Sequence, residues 1–308
     1  MMLLFGMLAS TFPMQMPSKT STYWHNASTQ GMLTASELDE VSGITSSQLG
    51  PYLWAHNDSG DAARMFLLDH AGNLIHTANL EGLKAYDNED LTRGPCAPDD
   101  LASYCLFLAD MGDNRHKREL IVVHKLQEFM DHNNNLPSLK PISKMLLRYP
   151  THKGQDAEAI MSHPITGDLY ILDKSRSGES NLYKVPREAH NKQTKKKLHD
   201  LELIAPVRIN HSSSSGQLVT SGEFSAHGQC LILRTYLEVL TYCKQPEHSW
   251  THALAQPPDR FITPAMLQSE AIAVDPNTHD LWITSERLYS PIIKLAPTPH
   301  MQAQGIKK

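Results

Sequence analysis

The residues best suited to chemistry lie at equivalent positions of a sequence repeat. The segments DAEAIMSHPITGDLYILD, residues 156–173, and QSEAIAVDPNTHDLWITS, residues 268–285, align residue for residue. Their shared Glu-Ala-Ile places Glu158 and Glu270 112 residues apart, which is twice 56. Self-similarity at such a period is typical of propellers and solenoids, so it predicts additional copies of the segment.

Three additional copies are present. They are SGEFSAHGQCLILRTY at 221–236, SGITSSQLGPYLWAHND at 42–58, and NEDL at 88–91 with its partner CLFLADMGDN at 105–114. The equivalent positions of the five copies, here called the ring positions, are Ser42, Glu89, Glu158, Ser221 and Glu270.

The ring positions predict a metal site. The first strand of each propeller blade lines the central channel, so three carboxylates and two hydroxyls converge there. Like charges held close together repel, and Ca²⁺ takes six to eight oxygen ligands in flexible geometry. We therefore predict bound Ca²⁺ on Ser42, Glu89, Glu158, Ser221 and Glu270. The alternatives are another divalent cation, or a solvated polar channel without metal into which a basic side chain reaches.

A second set of polar residues follows the second strand of each repeat. Because that strand returns antiparallel, its end lies beside the start of the first strand, at the same mouth of the channel. We predict catalytic roles at this mouth for Asp58, Asp110 and Asp173, and substrate binding by Asn57, Asn114, Arg115 and Arg234. Basic residues expected nearby are Arg64, Arg115, Lys174, Arg234 and Arg287.

Further strand-like runs complete a blade in each repeat. Third runs begin at Met65, Leu120, Asn181, Leu237 and Pro291, and fourth runs span 74–80, 144–149, 201–209 and, weakly, 250–255. Short strands separated by turn residues, four per repeat, predict an all-β fold, a five-bladed propeller of four-stranded antiparallel blades. Residues 31–35 are expected to close the ring as the missing strand of the last blade. Six blades and an open sandwich are the alternatives.

Length and composition agree with a single large β domain. The chain has 308 residues, with 28 Lys+Arg against 33 Asp+Glu and a formal charge of −5. This mild acidity gives no general attraction to nucleic acid or an anionic membrane. We predict a signal or export segment and linker at 1–30, a propeller at 31–300 and a tail at 301–308. The apolar opening MMLLFGMLASTF is too short to span a bilayer and lacks a preceding basic residue; a buried strand is its alternative.

The four cysteines form two local pairs without metal-binding spacing. Cys96 with Cys105, and Cys230 with Cys243, flank strand-like runs, so each pair either bridges neighbouring strands or remains as buried thiols. Disulfides would fit an exported protein.

Two family resemblances are carried by short segments. The Ser, Glu, Glu, Ser, Glu order of the ring positions resembles the central calcium ring of five-bladed calcium-activated nucleotidases, the apyrases, which implies metal roles for these five residues. The segments LADMGDNR, QDAEAI, ILRTY and HNDSGD resemble uncharacterised bacterial secreted propellers described as esterase-like or phytase-like. That second resemblance covers most of residues 37–295.

Two functions follow as hypotheses. The first is a periplasmic or secreted hydrolase that uses divalent metal on a phosphate or ester substrate, and the second is a non-catalytic binding propeller with structural calcium. The loops of the binding propeller would hold a protein or a glycan. We predict a monomer that takes a small-molecule substrate or ligand at the channel mouth, without nucleic acid and without a membrane span. The sequence has no GxSxG, HExxH or P-loop motif.

Overall fold

The protein is a five-bladed β-propeller. The computed structural model describes residues 21–84, 86–191 and 197–303, and the strands of these ranges form five sheets in which all strand pairs but one are antiparallel. The prediction of five blades is therefore confirmed over the six-bladed and sandwich alternatives. The apolar opening at residues 1–12, predicted as an export segment or a buried strand, lies outside the described residues.

The blades follow one another along the chain. Blade one contains β2 (Val41–Ser46), β3 (Tyr52–Asn57), β4 (Arg64–Asp69) and β5 (Leu74–Asn79). Blade two contains β6 (Asn88–Ala97), β7 (Asp100–Asp110), β8 (Ile121–Asp131), β9 (Leu136–Arg148) and the short parallel strand β13 (Leu198–Asp200). Blade three contains β10 (Ala157–Ser162), β11 (Leu169–Asp173), β12 (Glu179–Lys184) and β14 (Glu202–Arg208).

The last two blades show how the ring closes. Blade four contains β15 (Val219–Phe224), β16 (Cys230–Thr235), β17 (Glu238–Cys243) and β18 (Asp259–Ile262). Blade five contains β19 (Ile272–Val274), β20 (Leu281–Ile283), β21 (Pro291–Pro297) and the N-terminal strand β1 (Trp24–Met32), which pairs antiparallel with β21. An N-terminal strand thus completes the last blade as predicted, although it starts seven residues before the predicted position 31.

The apolar core is divided among the gaps between blades. Five buried clusters occur, one between each pair of adjacent blades. The cluster that joins blade five to blade one contains Trp282 and Ile292 from one side and Ile44 and Phe66 from the other. Since both faces of every blade are covered, the blade strands carry apolar residues at most positions rather than in strict alternation.

Blade two accounts for the long spacing between the second and third repeats. Its strands β6 to β9 have 10, 11, 11 and 13 residues, so the extra sequence lengthens two hairpins and adds no sixth blade. One disulfide, Cys96–Cys105, links β6 to β7, and the other, Cys230–Cys243, links β16 to β17. The bridged alternative for the cysteines is therefore confirmed.

One predicted strand is wrong. Residues 250–255 were expected to form the fourth strand of blade four, but Trp250–Leu254 form a short helix, α1. Ser249 caps this helix, because its side chain accepts a hydrogen bond from the backbone N–H of His252 at 3.2 Å. The true fourth strand begins after Pro257 and Pro258, which cannot donate ladder hydrogen bonds. The other α-helix of the described residues is α2 (Pro299–Ala303), whose Met301 is buried.

The first strands of the blades surround the channel. Strands β2, β6, β10, β15 and β19 contact one another side by side in ring order. Their N-terminal ends therefore meet at one mouth of the channel and their C-terminal ends at the other. Within the described ranges, no helix is both long and apolar enough to cross a membrane.

Candidate metal centre at the channel mouth

The ring positions lie at the N-terminal ends of the inner strands and are buried. Their exposed fractions are at most 4 % for Ser42, Glu89, Glu158, Ser221 and Glu270. The structure thus places the five side chains around one end of the channel, but only some of them contact one another.

Five carboxylates lie close together at this mouth, and we call them the acidic cluster. Carboxylate oxygens of Glu89, Asp156 and Glu158 lie within 4.8 Å of one another, and so do those of Asp58, Asp87 and Glu89. Glu89 therefore belongs to both groups of three. Its carboxyl also lies within hydrogen-bonding reach of the carboxyl of Glu158.

Sequence reasoning missed two members of the acidic cluster. Asp87 precedes Glu89 by two residues, and Asp156 precedes Glu158 by two residues. Residues two apart in an extended chain share a face, so each aspartate lies beside its glutamate. The pattern Asp-X-Glu at two ring positions was the signal that could have identified both.

The two ring serines use their hydroxyls elsewhere. Ser42 Oγ donates to the backbone oxygen of Glu89 at 2.6 Å, which fixes the strand that carries Glu89. Ser221 Oγ donates to Asp90 Oδ1 at 3.0 Å, on the opposite face of β6 from Glu89. The acidic cluster therefore consists of carboxylates alone.

Burial and mutual repulsion make the ionised cluster costly. Burial, followed by the charges of Glu158 and Asp58, raises the pKa of Glu89 well above its ordinary value. Burial raises the pKa of Glu158 to about 7, although Lys174 opposes the shift. The pKa values of Asp58 and Asp87 are also raised, chiefly by burial. A positive charge among these carboxylates would offset their mutual repulsion.

Lys174 supplies one such charge. Its Nζ lies 2.8 Å from Glu158 Oε1 and 3.1 Å from the hydroxyl of Tyr236. Burial by itself lowers the pKa of Lys174, but Glu158 and Glu270 outweigh it and raise the pKa above its ordinary value. Lys174 follows β11 directly, and it was among the basic residues expected at this mouth. One lysine leaves most of the negative charge of the acidic cluster unbalanced.

Glu270 and Arg234 lie to one side of the acidic cluster. Burial, then the charge of Glu158, raises the pKa of Glu270 well above its ordinary value, and Tyr236 hydrogen-bonds to its carboxyl. Arg234 is fully buried, and its guanidinium nitrogens have no hydrogen-bond partner among the described residues. Burial lowers the pKa of Arg234 to about 9, while Glu270 opposes the shift. Arg234, predicted to bind substrate, thus lies beneath the surface of the mouth in this structure.

Glycine at position 112 is required by the packing of the acidic cluster. A Cβ on Gly112 would lie 1.9 Å from Glu89 Oε1 and 2.6 Å from Asp87 Cγ. Both distances are far shorter than a van der Waals contact, so any side chain here would displace the two carboxylates. The backbone thus approaches closely enough to form one wall of the cluster.

A cleft opens beside the acidic cluster on the side of blades two and three. Its volume is about 390 Å³, and its lining includes Asp156 and Lys174 at the base. Exposed side chains at its rim come from Asn114, His116 and Arg176. A second, more open cleft of about 620 Å³ includes Asp87 and Arg118. The acidic cluster can therefore be approached from two sides.

Asp113 organises the loop at the rim of the first cleft. Its carboxylate accepts the backbone N–H groups of Lys117 and Arg118, each at 2.8 Å, and its own N–H donates to Asp156 Oδ1 at 2.9 Å. This places His116 at the cleft with a φ of 51°. The loop is thereby tied directly to one member of the acidic cluster.

The three aspartates predicted to be catalytic have different surroundings. Asp58 belongs to the acidic cluster. Asp110 pairs with Arg118 at 2.7 Å. Asp173 lines the first cleft and accepts hydrogen bonds from the N–H of Asn181 at 2.7 Å and from its Nδ2 at 3.0 Å. Of the three, Asp173 is the one in the cleft.

The remaining residues predicted for substrate binding also differ in position. The Nδ2 of Asn57 donates to Glu37 O at 2.7 Å, and its side chain is buried. Asn114 lines the first cleft, while Arg115 is exposed beside it in sequence. The structure thus brings Asn114 to the cleft and uses Asn57 to hold a neighbouring loop.

Comparisons with known proteins leave the activity open. No protein-family model matches the chain, and no curated protein matches it. Similar solved structures include an aldose sugar dehydrogenase from Streptomyces coelicolor in its PQQ-bound form, at 10 % identity and a TM-score of 0.48, with 89 % of this chain and 98 % of that chain covered. A gluconolactonase from Xanthomonas campestris aligns at 13 % identity and a TM-score of 0.42, and the alignment covers 89 % of this chain and 80 % of that chain.

A third similar structure consists of WD40 repeats. The WD40 repeats of RRP9 align at 11 % identity and a TM-score of 0.39, covering 84 % of this chain and 67 % of that chain. Unrelated functions occur on propellers, and these scores are too low to assign an activity to this chain.

Proposed function

We propose that this propeller is an exported hydrolase that binds Ca²⁺ at the acidic cluster and acts on phosphate or ester substrates. The observation that carries the proposal is the pair of carboxylate groups that share Glu89. We further propose that it acts as a monomer in the periplasm or outside the cell, and the two disulfides support that location.

The donor chemistry fits a hard divalent cation. Carboxylate oxygens are the ligands that Ca²⁺ and Mg²⁺ prefer, whereas zinc sites favour histidine and cysteine. The acidic cluster offers five carboxylates, and the shared Glu89 stands in the centre. Calcium is favoured over magnesium because irregular, many-ligand oxygen sites suit its flexible coordination. The proposed ligands are therefore Asp58, Asp87, Glu89, Asp156 and Glu158.

When bound, the cation would supply Lewis-acid polarisation of a substrate oxygen. The chain itself would bind and orient the substrate from the first cleft. Lys174 and the exposed Arg176 present positive charge there, and Asn114 presents an amide. Positive groups beside a metal site favour an oxyanion, so a phosphate-bearing substrate fits this cleft better than a neutral ester.

Asp173 is the proposed general base. It lies in the cleft, and its carboxylate is held in place by Asn181 and the hydroxyl of Tyr183. Burial raises the pKa of Asp173, while the hydrogen bonds from Asn181 oppose the shift. A base with a raised pKa accepts a proton from the attacking water more readily than an ordinary aspartate does.

A direct test separates metal binding from turnover. Purified protein is analysed for bound metal and then assayed with p-nitrophenyl phosphate and p-nitrophenyl acetate, with calcium or with EGTA. Asp173→Asn should keep calcium binding and lose about 100-fold or more of the turnover, the range that general acid–base groups contribute. The control Asp200→Asn changes an exposed aspartate of β13 and should leave both properties unchanged.

Two outcomes would contradict the proposal. If the protein binds no divalent ion, the acidic cluster is not a metal site. If it binds calcium but turns over no substrate in a broad ester and phosphate panel, the non-catalytic alternative applies. That alternative is supported by the deep burial of Glu89 and Glu158, at 4 % exposure each, which suits a structural ion between blades.

A further inference from the structure

The far end of the channel holds a second polar space, which we call the second pocket. Its volume is about 130 Å³, and each of the five inner strands contributes to its lining. The contributions are Thr45, Arg93, Ser162, Glu223 and Val274. A water molecule occupies about 30 Å³ in the liquid, so this space suits about four waters or a ligand of about five non-hydrogen atoms.

Arg93 brings an unsatisfied positive charge to the second pocket. Its guanidinium packs over the ring of Tyr104, 5.4 Å from the centroid. No other side-chain hydrogen bond or ion pair of Arg93 occurs among the described residues. A half-buried guanidinium has five N–H donors, so this side chain lacks acceptors that a ligand can provide.

Ser162 independently lacks a partner. Its side chain is 1 % exposed, and its Oγ makes no hydrogen bond within the described ranges. The hydroxyl lies against the backbone of β6, where a Cβ on Gly94 would stand 1.9 Å from it. A buried hydroxyl without a partner is costly, so a polar group in the second pocket would stabilise it.

A buried carboxyl group, that of Glu223, faces Arg93 across the same space. The carboxylate of Glu223 accepts hydrogen bonds from Thr92 Oγ1 at 3.0 Å and from the N–H of Phe224 at 2.9 Å. Glu128, Glu223 and Asp275 all act electrostatically on Arg93, but no described carboxylate forms an ion pair with it. Burial raises the pKa of Glu223 to about 8, and an ammonium group beside it would favour its ionised form. A ligand that carries both a carboxylate and an ammonium group would therefore suit both Arg93 and Glu223.

We propose that the second pocket binds a small zwitterion, an α-amino acid of the size of glycine or alanine. Its carboxylate would lie on Arg93 and accept the hydroxyl of Ser162, and its ammonium group would face Glu223. Because this site lies at the end of the channel opposite the acidic cluster, it does not depend on the proposed hydrolase or its metal.

The wild-type protein provides the first test. Isothermal titration calorimetry is performed with glycine and L-alanine, and with acetate and methylammonium as probes that carry one charge each. We expect the amino acids to bind at least about tenfold more tightly than either single-charge probe, because each charged contact contributes. EGTA should leave this binding unchanged. The absence of saturable amino-acid binding, or equal binding of acetate, would overturn the proposal.

Variants then test the two charged residues. Arg93→Gln and Glu223→Gln should each weaken glycine binding by about tenfold or more. The matched control is Arg208→Gln, since Arg208 is an exposed residue of the outer strand β14. Thermal unfolding verifies that each variant is folded. Unchanged glycine affinity in folded Arg93→Gln and Glu223→Gln would show that the second pocket is not the binding site.

Discussion

Glu89 and Glu270 provide a matched pair for testing the metal centre. Both occupy ring positions, both are 4 % exposed, and burial raises the pKa of each well above its ordinary value. Only Glu89 belongs to the two carboxylate groups of the acidic cluster. We therefore expect Glu89→Gln to weaken calcium binding far more than Glu270→Gln, although the two substitutions are chemically identical.

The magnitude follows from the loss of one charge beside a divalent ion. Two unit charges 4 Å apart interact by about 4 kcal/mol at an effective dielectric constant of 20, so a divalent ion and a carboxylate interact by about 8 kcal/mol. The glutamine oxygen retains part of this, and desolvation cancels more. A net loss of about 3 to 4 kcal/mol corresponds to a decrease in affinity of about 100- to 1,000-fold.

Glu270 should matter much less. Lys174 and Tyr236 lie between its carboxyl and the acidic cluster. At a greater distance, and beside a positive charge, its contribution to calcium binding should stay below about tenfold. The two variants thus distinguish a site centred on Glu89 from one in which all five ring positions are equivalent ligands.

The metal-free protein gives a second readout. Because Glu158, Asp58 and other neighbours repel Glu89, removing its charge relieves repulsion when no ion is bound. We expect Glu89→Gln to unfold at the same or a higher temperature than the wild type in EGTA. The increase in unfolding temperature caused by calcium should be strongly reduced, since ligand binding stabilises the folded state in proportion to ln(1 + [L]/Kd).

The assay is calorimetric titration of calcium into chelator-treated protein, with thermal unfolding in calcium and in EGTA. Equal losses of affinity in Glu89→Gln and Glu270→Gln would refute a centre built on the acidic cluster. A large destabilisation of metal-free Glu89→Gln would refute the repulsion argument, because it would show that the carboxylate stabilises the fold without metal.

Two further predictions concern packing and pH. Gly112→Ala should reduce calcium affinity by about tenfold or more in titration calorimetry while circular dichroism stays unchanged, because the new Cβ displaces Glu89; unchanged affinity would contradict the close packing. Burial raises the pKa of Glu223 from 4.5 to about 8, so the folded protein holds the proton of this carboxyl more tightly than the unfolded chain does. The resulting stabilisation of the fold is complete below pH 4.5 and is lost as the pH rises to about 8. Denaturant unfolding of the wild type should show the free energy of unfolding decreasing by about 3 to 5 kcal/mol at most between these pH values, and Glu223→Gln should lack this decrease. The same pH dependence of the unfolding free energy in both proteins would contradict the prediction.

The propeller was predictable because its repeats carry the same information five times. Each repeat has an inner strand, a turn and an apolar returning strand, so a weak signal in one copy is supported by the others. The failure at 250–255 came from a region without a repeat equivalent. There, the local cap at Ser249 and the prolines 257 and 258 decided for a helix followed by a late strand.

The site was only partly predictable. The ring positions lie at one mouth of the channel, and two of them, Glu89 and Glu158, belong to the acidic cluster. The prediction compared only the residue at each ring position. It therefore missed Asp87 and Asp156, which precede Glu89 and Glu158 in the pattern Asp-X-Glu. Roles at strand ends were less predictable still, since Asp110 pairs with Arg118 while Asp173 faces a cleft. Those differences depend on which loop packs against each strand end.

The sequence by itself determined the number of blades, the channel and the strand ends that carry acidic residues, because strand periodicity and repeat length are local properties. Only the tertiary structure decided which of these residues meet. Glu89 joins Asp58 from blade one to Glu158 from blade three, whereas Glu270 is separated from them by Lys174 and Tyr236. Such contacts depend on side-chain direction and blade-to-blade packing, and so does the placement of Arg93 opposite Glu223 at the other end of the same channel.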